Sequence, residues 1–513
     1  MKKFQKILCL LLAVVMVGSL AACGSKPADS NATVSSDAAQ NKPAESTSYP
    51  VIRMAYSRMF GTPDESLVEE EMNKILREKH GCEIDLVPLD FASMQTQLNL
   101  MLTGGNDGID IFSSFWYLPL ATLVSNGQLA PLDEFLANDG DEIKELFKDY
   151  PDVLECCRVS GQTYALPTVG PYSSPMGFMV MKEDADRAGI NADDVTNLDE
   201  FTKAMLKMKE ANPTHYYIPA ASETYWIPKD IDYLGDTMFL GVLTDPLNST
   251  TVENYYESDY FMHFLDNVKI WQENDLLLPD GMSNTNPTLM SLQAHLVAGT
   301  PGYGYDFKET CYEANIQMQY GGEVVGNNFG ERLITTGNIS TYLWHITSFS
   351  TQKELAWKVL KEFYVNTDLS NLLCNGVEGQ NYVKNADGTI SFPEGKDMTN
   401  CGWTGMGTTY SFPNVVGCYL WDYQPADMFE IWEKSNQESK CSLALGFSFD
   451  SSPVADQVTA CANVYAQYYL PIINGEVDID EVLPVFQKAL HDAGIDAIIA
   501  EKQAQLDAWL ASK

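Results

Sequence analysis

Short apolar runs and amphipathic segments alternate along the chain from residue 49 onward. Three apolar runs of strand length come first, namely "VIRMAY" (51–56), "CEIDLVP" (82–88) and "IDIFSS" (109–114). Between the first two runs, apolar residues recur at helical spacing from Leu67 to Leu76, and Gly81 marks a stop. A second amphipathic segment, from Phe91 to Leu102, precedes the third run. The order β-α-β-α-β predicts a parallel sheet that is covered by helices.

A second α/β pattern begins at the apolar run "MGFMVMK" (176–182). Helices are predicted around "LDEFTKAMLKMKEAN" (198–212), "YFMHFLDNVKIWQEN" (260–274) and "KELAWKVLKEFY" (353–364), and "NISTYLWHITSFS" (338–350) is strand-like. The last 60 residues have helical spacing throughout, as at Ile498, Leu506 and Leu510. Residues 49–513 are too many for a single core, so we expect at least two domains.

The first 48 residues predict export and a membrane tether. Three lysines precede the 11-residue apolar run Ile7 to Val17, which is shorter than the roughly 20 residues that span a bilayer. "LAAC" (20–23) resembles the bacterial lipobox, in which the cysteine, here Cys23, is lipidated and becomes the mature N-terminus. We therefore predict a signal peptide (1–22) and a lipidated cysteine with a disordered linker (23–48) at the extracellular face of the cytoplasmic membrane. Plain secretion with an incidental cysteine is the alternative.

Charge and cysteine content narrow the classes of partner. The chain has 32 Lys and Arg against 70 Asp and Glu, a net charge of −38, which makes nucleic acid an improbable partner. Nine cysteines remain besides Cys9 and Cys23, and this odd, scattered set is not typical of a disulfide framework. We therefore expect mostly free, buried thiols.

No motif indicates a metal, a cofactor or a catalytic site. The six histidines are isolated from one another, and neither a CxxC pair nor a G-x-S-x-G or phosphate-loop motif occurs. We therefore predict no catalytic residues, no metal and no cofactor. A carboxylate pair for glycoside hydrolysis stays open as an alternative, because that arrangement depends on a separation in space.

Aromatic residues stand outside helical apolar faces, where strands are expected to end. Such rings stack on the apolar faces of sugars while polar neighbours bond the hydroxyls, and open α/β sheets bind ligands at the carboxyl ends of their strands. The candidate ligand-binding residues on this basis are Trp116, Tyr117, Tyr172, Trp226, Tyr303, Asp306, Trp344, Tyr382 and Trp403. Core packing is the alternative for each single ring, and it is weakest for Trp116 and Trp226, which have polar and turn residues around them.

Several segments resemble the extracellular solute-binding proteins of ATP-binding-cassette (ABC) importers. They include "GIDIFSSFWY" (108–117), "GQTYALP" (161–167), "VEGQNYV" (377–383), "ALGFSFDSSPV" (444–454) and the C-terminal run from "YLPIINGEVDIDEVLP" (469–484). Their order and spacing are similar to a long lipoprotein branch that is linked to uptake of oligosaccharides such as aldouronates. "CGWTGMGTTYSFP" (401–413) departs from this pattern, which leaves the substrate open.

The resemblance implies an α/β, two-lobed periplasmic-binding-protein-like fold of type II, with a hinge and an interdomain cleft. By analogy, lobe 1 comprises 49–168 plus 300–366, and lobe 2 comprises 169–299 plus 367–513. Ser113, Ser114 and Trp116 carry over as cleft contacts, and Glu378, Gln380 and Tyr382 as further candidates. The implied protein is a monomeric receptor that delivers an oligosaccharide to an ABC permease and is not an enzyme. A receptor for peptides or other solutes and a surface-anchored glycoside hydrolase are the alternatives.

Overall fold

The protein is represented by a computed structural model that describes most of the chain after residue 48. The described residues are 49–91, 93–104, 108–115, 117–173, 175–218, 228, 230–236, 238–279, 299–301, 323–405 and 409–513. Residues 49–513 form one compact unit. The predicted signal peptide, Cys23 and the linker lie outside the described residues.

The strands of this unit vary from two to eight residues in length. In chain order they are β1 (Val51–Arg58), β2 (Glu83–Asp90), β3 (Ile111–Phe115), β4 (Arg158–Val159), β5 (Gln162–Thr163), β6 (Leu166–Pro167), β7 (Met176–Met181), β8 (Gly299–Pro301), β9 (Val324–Phe329), β10 (Leu333–Ile334), β11 (Tyr342–Ile346), β12 (Val383–Lys384), β13 (Ile390–Ser391) and β14 (Lys440–Cys441).

The helices are longest near both ends of the unit. In chain order they are α1 (Glu65–His80), α2 (Met94–Gly104), α3 (Leu120–Ser125), α4 (Asp133–Asp139), α5 (Asp141–Leu146), α6 (Pro151–Glu155), α7 (Lys182–Ala188), α8 (Leu198–Ala211), α9 (Asp259–Glu273), α10 (Thr336–Ile339), α11 (Lys353–Val365), α12 (Thr367–Asn375), α13 (Met428–Glu438), α14 (Ala455–Ile473), α15 (Ile479–Ala493) and α16 (Ile495–Ser512).

The first sheet has the strand order β2-β1-β3-β11-β6. β1 pairs in parallel with β2, from Val51 opposite Glu83 to Arg58 opposite Asp90, and in parallel with β3. The predicted parallel β-α-β-α-β arrangement is therefore confirmed. β11 is antiparallel to β3, with Tyr342 opposite Phe115. The start of β11 thus lies at the same edge of the sheet as the ends of the parallel strands.

Helix α1 is fixed against this sheet by its sequence. Gly81 ends the helix in the left-handed conformation, with φ of 63°, which costs glycine no steric strain. The buried Asn73 side chain accepts from the N–H of Ile84 at 2.7 Å and donates to the carbonyl of Ile84 at 3.2 Å. This pair of bonds holds α1 in register with β2, so the chain between β1 and β2 has a defined path.

The second sheet has the strand order β8-β7-β9, and β7 is antiparallel to both neighbours. Met176 at the start of β7 lies opposite Phe329 at the end of β9. The second sheet packs on α8 and α9. There the Phe178 ring of β7 contacts Phe201, and Phe201 meets Trp271 edge-on with ring centroids 6.1 Å apart. The second sheet therefore has a core of its own.

The packing of two segments differs from the predicted lobe boundaries. Val324–Phe329, which the prediction placed in lobe 1, pairs with β7 in the second sheet. Leu369, Trp403 and Phe412, which it placed in lobe 2, pack in the core of the first sheet. Strand pairing and side-chain burial join residues that are distant in sequence. For this reason the packing does not switch from one core to the other at the predicted boundaries, residues 300 and 366.

The C-terminal helices pack against the second core, as the helical spacing predicts. Ile472, Phe486 and Ile498 from α14, α15 and α16 are all buried in it. Lys502 on α16 is fully buried, where its ammonium donates to the Gly241 carbonyl at 2.9 Å and pairs with Asp236 at 3.3 Å. None of the helices in the described part of the chain is both long enough and apolar enough to span a membrane.

Candidate functional site

Four strands of the first sheet have one end at its carboxyl edge. β1, β2 and β3 end there at Arg58, Asp90 and Phe115, and β11 begins there at Tyr342. In open α/β sheets this is the edge at which ligands bind, because the loops that leave the strands form a crevice there.

Five aromatic rings lie together at this edge, and we call them the aromatic edge: Phe91, Phe115, Tyr117, Tyr342 and Tyr410. The Phe115 ring stacks on Tyr117, with centroids 5.7 Å apart and planes 7° apart. It meets Phe91 and Tyr342 edge-on at 5.7 and 5.2 Å. Tyr342 contacts Tyr410 at 4.9 Å, and Tyr410 is 39% exposed. The cluster thus has a buried centre and an accessible margin.

Charged groups flank the aromatic edge. Arg58 Nε donates to Asp90 Oδ1 at 2.8 Å, and its Nη1 donates to Thr62 Oγ1 at 2.8 Å. The Asp90 side chain is 65% exposed, whereas Arg58 is 25% exposed. The arginine is therefore held in place while the carboxylate can still accept hydrogen bonds from a hydroxylated ligand.

A cavity of ≈ 200 Å³ lies at the end of the second sheet and is called here the Asp230 pocket. It is lined by Met176, Asp230, Tyr260, His263, Phe264 and Phe329, among others. Met176 begins β7 and Phe329 ends β9. Soon after, the chain enters β10, whose Ile334 packs in the first core. The pocket therefore lies at the end of the second sheet from which the chain leads to the first core.

Asp230 is the polar centre of this pocket. Tyr260 Oη donates to Asp230 Oδ1 at 2.5 Å. Desolvation raises the pKa of the Asp230 carboxyl, and the Tyr260 hydrogen bond opposes that shift. At the same lining, His263 Nε2 pairs with Asp199 at 2.8 Å. A carboxylate beside aromatic walls can accept hydrogen bonds from ligand hydroxyls, which apolar side chains could not satisfy.

The structure places some of the predicted ligand residues behind the aromatic edge. Ser113 and Ser114 are buried within β3, and Ser114 Oγ bonds His345 Nε2 at 2.7 Å. Trp344 is fully buried, and its Nε1 donates to the Ser411 carbonyl at 2.8 Å. Among the predicted ligand residues that the structure describes, Tyr117 belongs to the aromatic edge.

Burial also explains why Ser114 and His345 do not form an accessible catalytic pair. Desolvation lowers the pKa of His345 to about 4. Its Nδ1 bonds the Tyr164 carbonyl at 3.0 Å, so the neutral ring donates there and accepts from Ser114. These bonds fasten β11 to β3 and to the segment before β6. The pair is structural in this conformation.

Other predicted residues lie elsewhere in the first core. Tyr172 is buried against Tyr150, and its backbone N–H donates to Asn436 Oδ1 at 2.7 Å. Trp403 is buried, and its Nε1 donates to the Leu373 carbonyl at 3.1 Å. Both side chains fill space between packed segments and leave little ring surface for a ligand.

Glu378 and Tyr382 line a separate cavity of ≈ 310 Å³ beside α1 and α12. Glu378 pairs with Lys384 at 3.0 Å, and the Tyr382 ring lies 6.0 Å from Tyr419. Gln380 is exposed nearby. The structure does not bring these residues into the aromatic edge. Trp116, Trp226, Tyr303 and Asp306 lie outside the described residues.

Sequence reasoning did not select Tyr342, Tyr410, Asp230 or Tyr260. Tyr342 stands two positions before the chosen Trp344, and only the antiparallel direction of β11 puts it at the ligand edge. Asp230 closes the segment "ETYWIPKD" from which only Trp226 was chosen. A polar residue directly after an aromatic, proline-containing stretch was the available signal. Within the described residues, no three His, Cys, Asp or Glu side chains are grouped as a metal site requires.

Comparisons with known proteins agree with the fold. A carbohydrate ABC transporter substrate-binding protein of Streptococcus pneumoniae serotype 4 is 26% identical over 514 residues, covering 98% of this chain and 97% of that protein. The N-glycan transport solute binding protein (NgtS) of S. pneumoniae superposes with a TM-score of 0.76 at 22% identity, covering 90% of this chain and 99% of that one. An HMO binding ABC-transporter associated solute binding protein from Bifidobacterium longum infantis has a TM-score of 0.60 at 14% identity, with 90% and 99% covered.

These likenesses confirm the predicted two-lobed α/β fold of type II. Residues 443–511 match a domain of unknown function, DUF3502. Residues 62–364, which are more than half of the chain, match the family of bacterial extracellular solute-binding proteins. The protein is a member of that family.

Proposed function

We propose that this protein captures an uncharged oligosaccharide between the aromatic edge and the Asp230 pocket and delivers it to an ABC permease. The observation that carries the proposal is the cluster of five rings at the carboxyl edge of the first sheet, with Tyr410 exposed at its margin. The names of the pneumococcal relative and of the two solved structures support a carbohydrate ligand.

The two parts of the site suit the two kinds of surface on a sugar. Tyr117, Tyr342 and Tyr410 offer apolar ring surface to C–H faces. Asp230 in the pocket and Asp90 at the edge accept hydrogen bonds from hydroxyl groups. The charge of Asp90 is balanced by Arg58, whereas an ionised Asp230 repels an anionic ligand, so we expect neutral sugars to bind better than uronic acids. Micromolar capture requires roughly 8 kcal/mol in total.

The mechanism requires no chemical change in the ligand. The lobes rotate about the hinge, the ligand engages both walls, and closure presents a surface to the permease. Closure shifts an existing equilibrium, and its extent is limited by the difference in ligand affinity between closed and open forms. The buried Ser113, Ser114 and Trp344 shape the first wall from behind, and Trp116, Trp226, Tyr303 and Asp306 stay predicted contacts.

The test is a thermal-shift screen of the purified protein with neutral oligosaccharides, uronic-acid oligosaccharides and short peptides. A rise in melting temperature with neutral oligosaccharides supports the proposal. A rise with peptides and with no sugar contradicts it and favours a peptide receptor. Chromatography of the sugar after long incubation addresses the hydrolase alternative, because a hydrolase would shorten it and a receptor would return it intact.

The proposed location rests on Cys23. A lipid at this residue would hold the receptor near its permease and raise its effective concentration there. Cys23→Ala should release protein that still binds ligand but supports uptake poorly. Full uptake by the released protein at low expression would contradict the proposed role of the anchor. A monomeric state is part of the same proposal, and light scattering tests it.

A further inference from the structure

The chain forms a closed loop directly after Asp230. Asp232 and Leu243 exchange backbone hydrogen bonds of 3.0 and 2.8 Å, so residues 232–243 leave and return at one point, and we call them the 232–243 loop. Asp230 stands two positions before this point. Contacts that hold the loop in place therefore also limit where the Asp230 carboxylate can lie in its pocket.

The backbone of the 232–243 loop needs support from its surroundings. Leu234 and Phe239 have φ of 54° and 55°, a left-handed conformation that bulky side chains rarely allow. Asp236 holds the turn between them, because its carboxylate accepts from the N–H groups of Met238 and Leu240 at 2.9 and 2.8 Å. A strained segment of this kind persists only where neighbouring groups fix it.

Helix α16 fixes the loop through Lys502. This side chain is fully buried, and its ammonium donates to the Gly241 carbonyl at 2.9 Å and pairs with Asp236 at 3.3 Å. Gly241 approaches the helix so closely that a Cβ there would lie 3.2 Å from Ile499 Cγ1 and 3.5 Å from Lys502 Cδ. A buried ammonium is costly unless partners compensate it, so the lysine and the loop depend on each other.

The other two C-terminal helices contact a second wall of the same pocket. Tyr255 lines the pocket, and the Phe239 ring of the loop lies 5.0 Å from it. Gln487 Nε2 on α15 donates to the Tyr256 carbonyl at 2.7 Å. The Tyr469 ring of α14 has centroid distances of 6.2 Å to Phe239 and 6.0 Å to Tyr256. Helices α14, α15 and α16 thus contact both chain segments that supply walls of the pocket.

We propose that the C-terminal helices position the Asp230 pocket, and that they do so mainly through Lys502 and the 232–243 loop. The inference rests on the proposed function, because it concerns the pocket that is to bind the sugar. It gives a role to residues 443–511, the domain of unknown function. Lys502 is a positioning residue, since it acts on Asp230 through the loop. A carboxylate accepts hydrogen bonds well only in particular directions, so a loosened loop should weaken binding.

Lys502→Met tests the proposal in the full chain, because it keeps the length of the side chain and removes its hydrogen bonds. Hydrogen–deuterium exchange of the ligand-free protein, read by mass spectrometry, is the first measurement. We expect amide exchange in residues 231–243 to become at least about 10-fold faster, since loss of a hydrogen bond to a charged group shifts a local opening equilibrium by about this factor.

Leu490→Ala is the matched control for a general loss of stability. Leu490 is fully buried on α15 in the second core, so its truncation destabilises the same group of helices, whereas every hydrogen bond of Lys502 stays in place. We expect a lower melting temperature with unchanged exchange in residues 231–243. Exchange at the wild-type rate in Lys502→Met, or equal acceleration in both variants, overturns the proposal.

A double variant separates the position of the loop from the burial of charge. Lys502→Met leaves the Asp236 carboxylate without its ammonium partner, and adding Asp236→Asn removes that charge. We expect the double variant to recover part of the melting temperature but to keep fast exchange in residues 231–243, because the bond to Gly241 is still missing. Recovery of slow exchange would show that charge balance alone holds the loop, and it would overturn the proposal.

Thermal shifts with mannotriose, cellotriose and maltotriose as probes connect the loop to binding. For a probe that raises the melting temperature of the wild type, the rise should shrink by at least about half in Lys502→Met and persist in Leu490→Ala. An equal rise in all three proteins overturns the positioning role. No rise in the wild type counts against the proposed function, and the exchange measurement then decides the present proposal by itself.

Discussion

The aromatic edge of the first sheet and the Asp230 pocket of the second sheet offer a ligand different kinds of contact. The edge presents stacked and edge-on rings with an exposed margin at Tyr410. The pocket holds one carboxylate, bonded to Tyr260 and partly desolvated among apolar side chains. Rings accept any sugar face of suitable size, whereas a carboxylate demands donors in fixed directions. We therefore expect the aromatic edge to accept different sugars and the Asp230 pocket to select among them by the positions of their hydroxyl groups.

The largest effect on binding is expected from Asp230→Asn. It keeps the shape of the side chain and removes the charge that strengthens hydrogen bonds to ligand hydroxyls. We expect affinity to fall by about 10- to 100-fold, since a hydrogen bond to a charged group is worth about 1.5–3 kcal/mol. Isothermal titration with a ligand found in the screen measures the change. Asp266→Asn, at an exposed position of α9, should leave affinity unchanged, and an equal loss in both variants would refute the selective role of the pocket.

Ser114→Ala tests whether the buried side of the edge is structural. His345 Nε2 loses its hydrogen bond inside the core, so we expect the free energy of unfolding to fall by about 1–2 kcal/mol. Urea denaturation measures this, and ligand affinity should stay the same. A loss of affinity without a loss of stability would instead make Ser114 a ligand contact.

Tyr410→Ala is expected to have a smaller effect on binding. Loss of one ring at the margin of the edge should weaken affinity by about 2- to 10-fold, because a stacked aromatic contact is worth about 0.5–1.5 kcal/mol. Tyr410→Phe retains the ring and serves as the matched control. If Phe weakened binding as much as Ala, the hydroxyl rather than the ring surface would be the contact.

The smallest effect is a dependence of stability and affinity on pH. Because burial raises the pKa of Asp230 in the folded protein, its stabilising contribution is present below the unfolded pKa of about 3.9 and is lost as pH rises through the folded pKa. Asp230→Asn should therefore stabilise the free protein at neutral pH. Ligand hydroxyls favour the ionised carboxyl, so wild-type affinity should fall on acidification. Titrations at several pH values check this, and a dependence that persists in Asp230→Asn must come from another group.

Local periodicity was sufficient to predict the start of the fold. From β1 to β3, helices α1 and α2 both contact β2, the strand that lies between them in sequence. Helical spacing and the stop at Gly81 were therefore sufficient to predict this topology. The second sheet depends instead on pairing between Met176–Met181 and Val324–Phe329, which are far apart in the chain. No local pattern identifies such partners, and the proposed lobe boundaries failed to follow the packing there for that reason.

The site was predicted less completely than the fold. Tyr117 was found because it directly follows a parallel strand, where the edge can be located from the sequence. Trp344 and Trp403 have polar neighbours in sequence, yet both are buried because packing segments cover them from elsewhere. The Asp230 carboxyl has a raised pKa because it is buried, and it accepts a hydrogen bond from Tyr260. Neither the burial nor the partner can be predicted from its sequence neighbours.

The composition of the first core has a consequence for how the chain is made and exported. That core joins Ile52 in β1 to Cys418 and Leu445 near the far end of the chain. During synthesis from the N-terminus, the early strands therefore lack part of their cover until those late residues follow. We expect nascent chains to remain loosely folded and open to proteases until then. A chain in this loosely folded state can pass through a secretion channel that accepts only unfolded polypeptides.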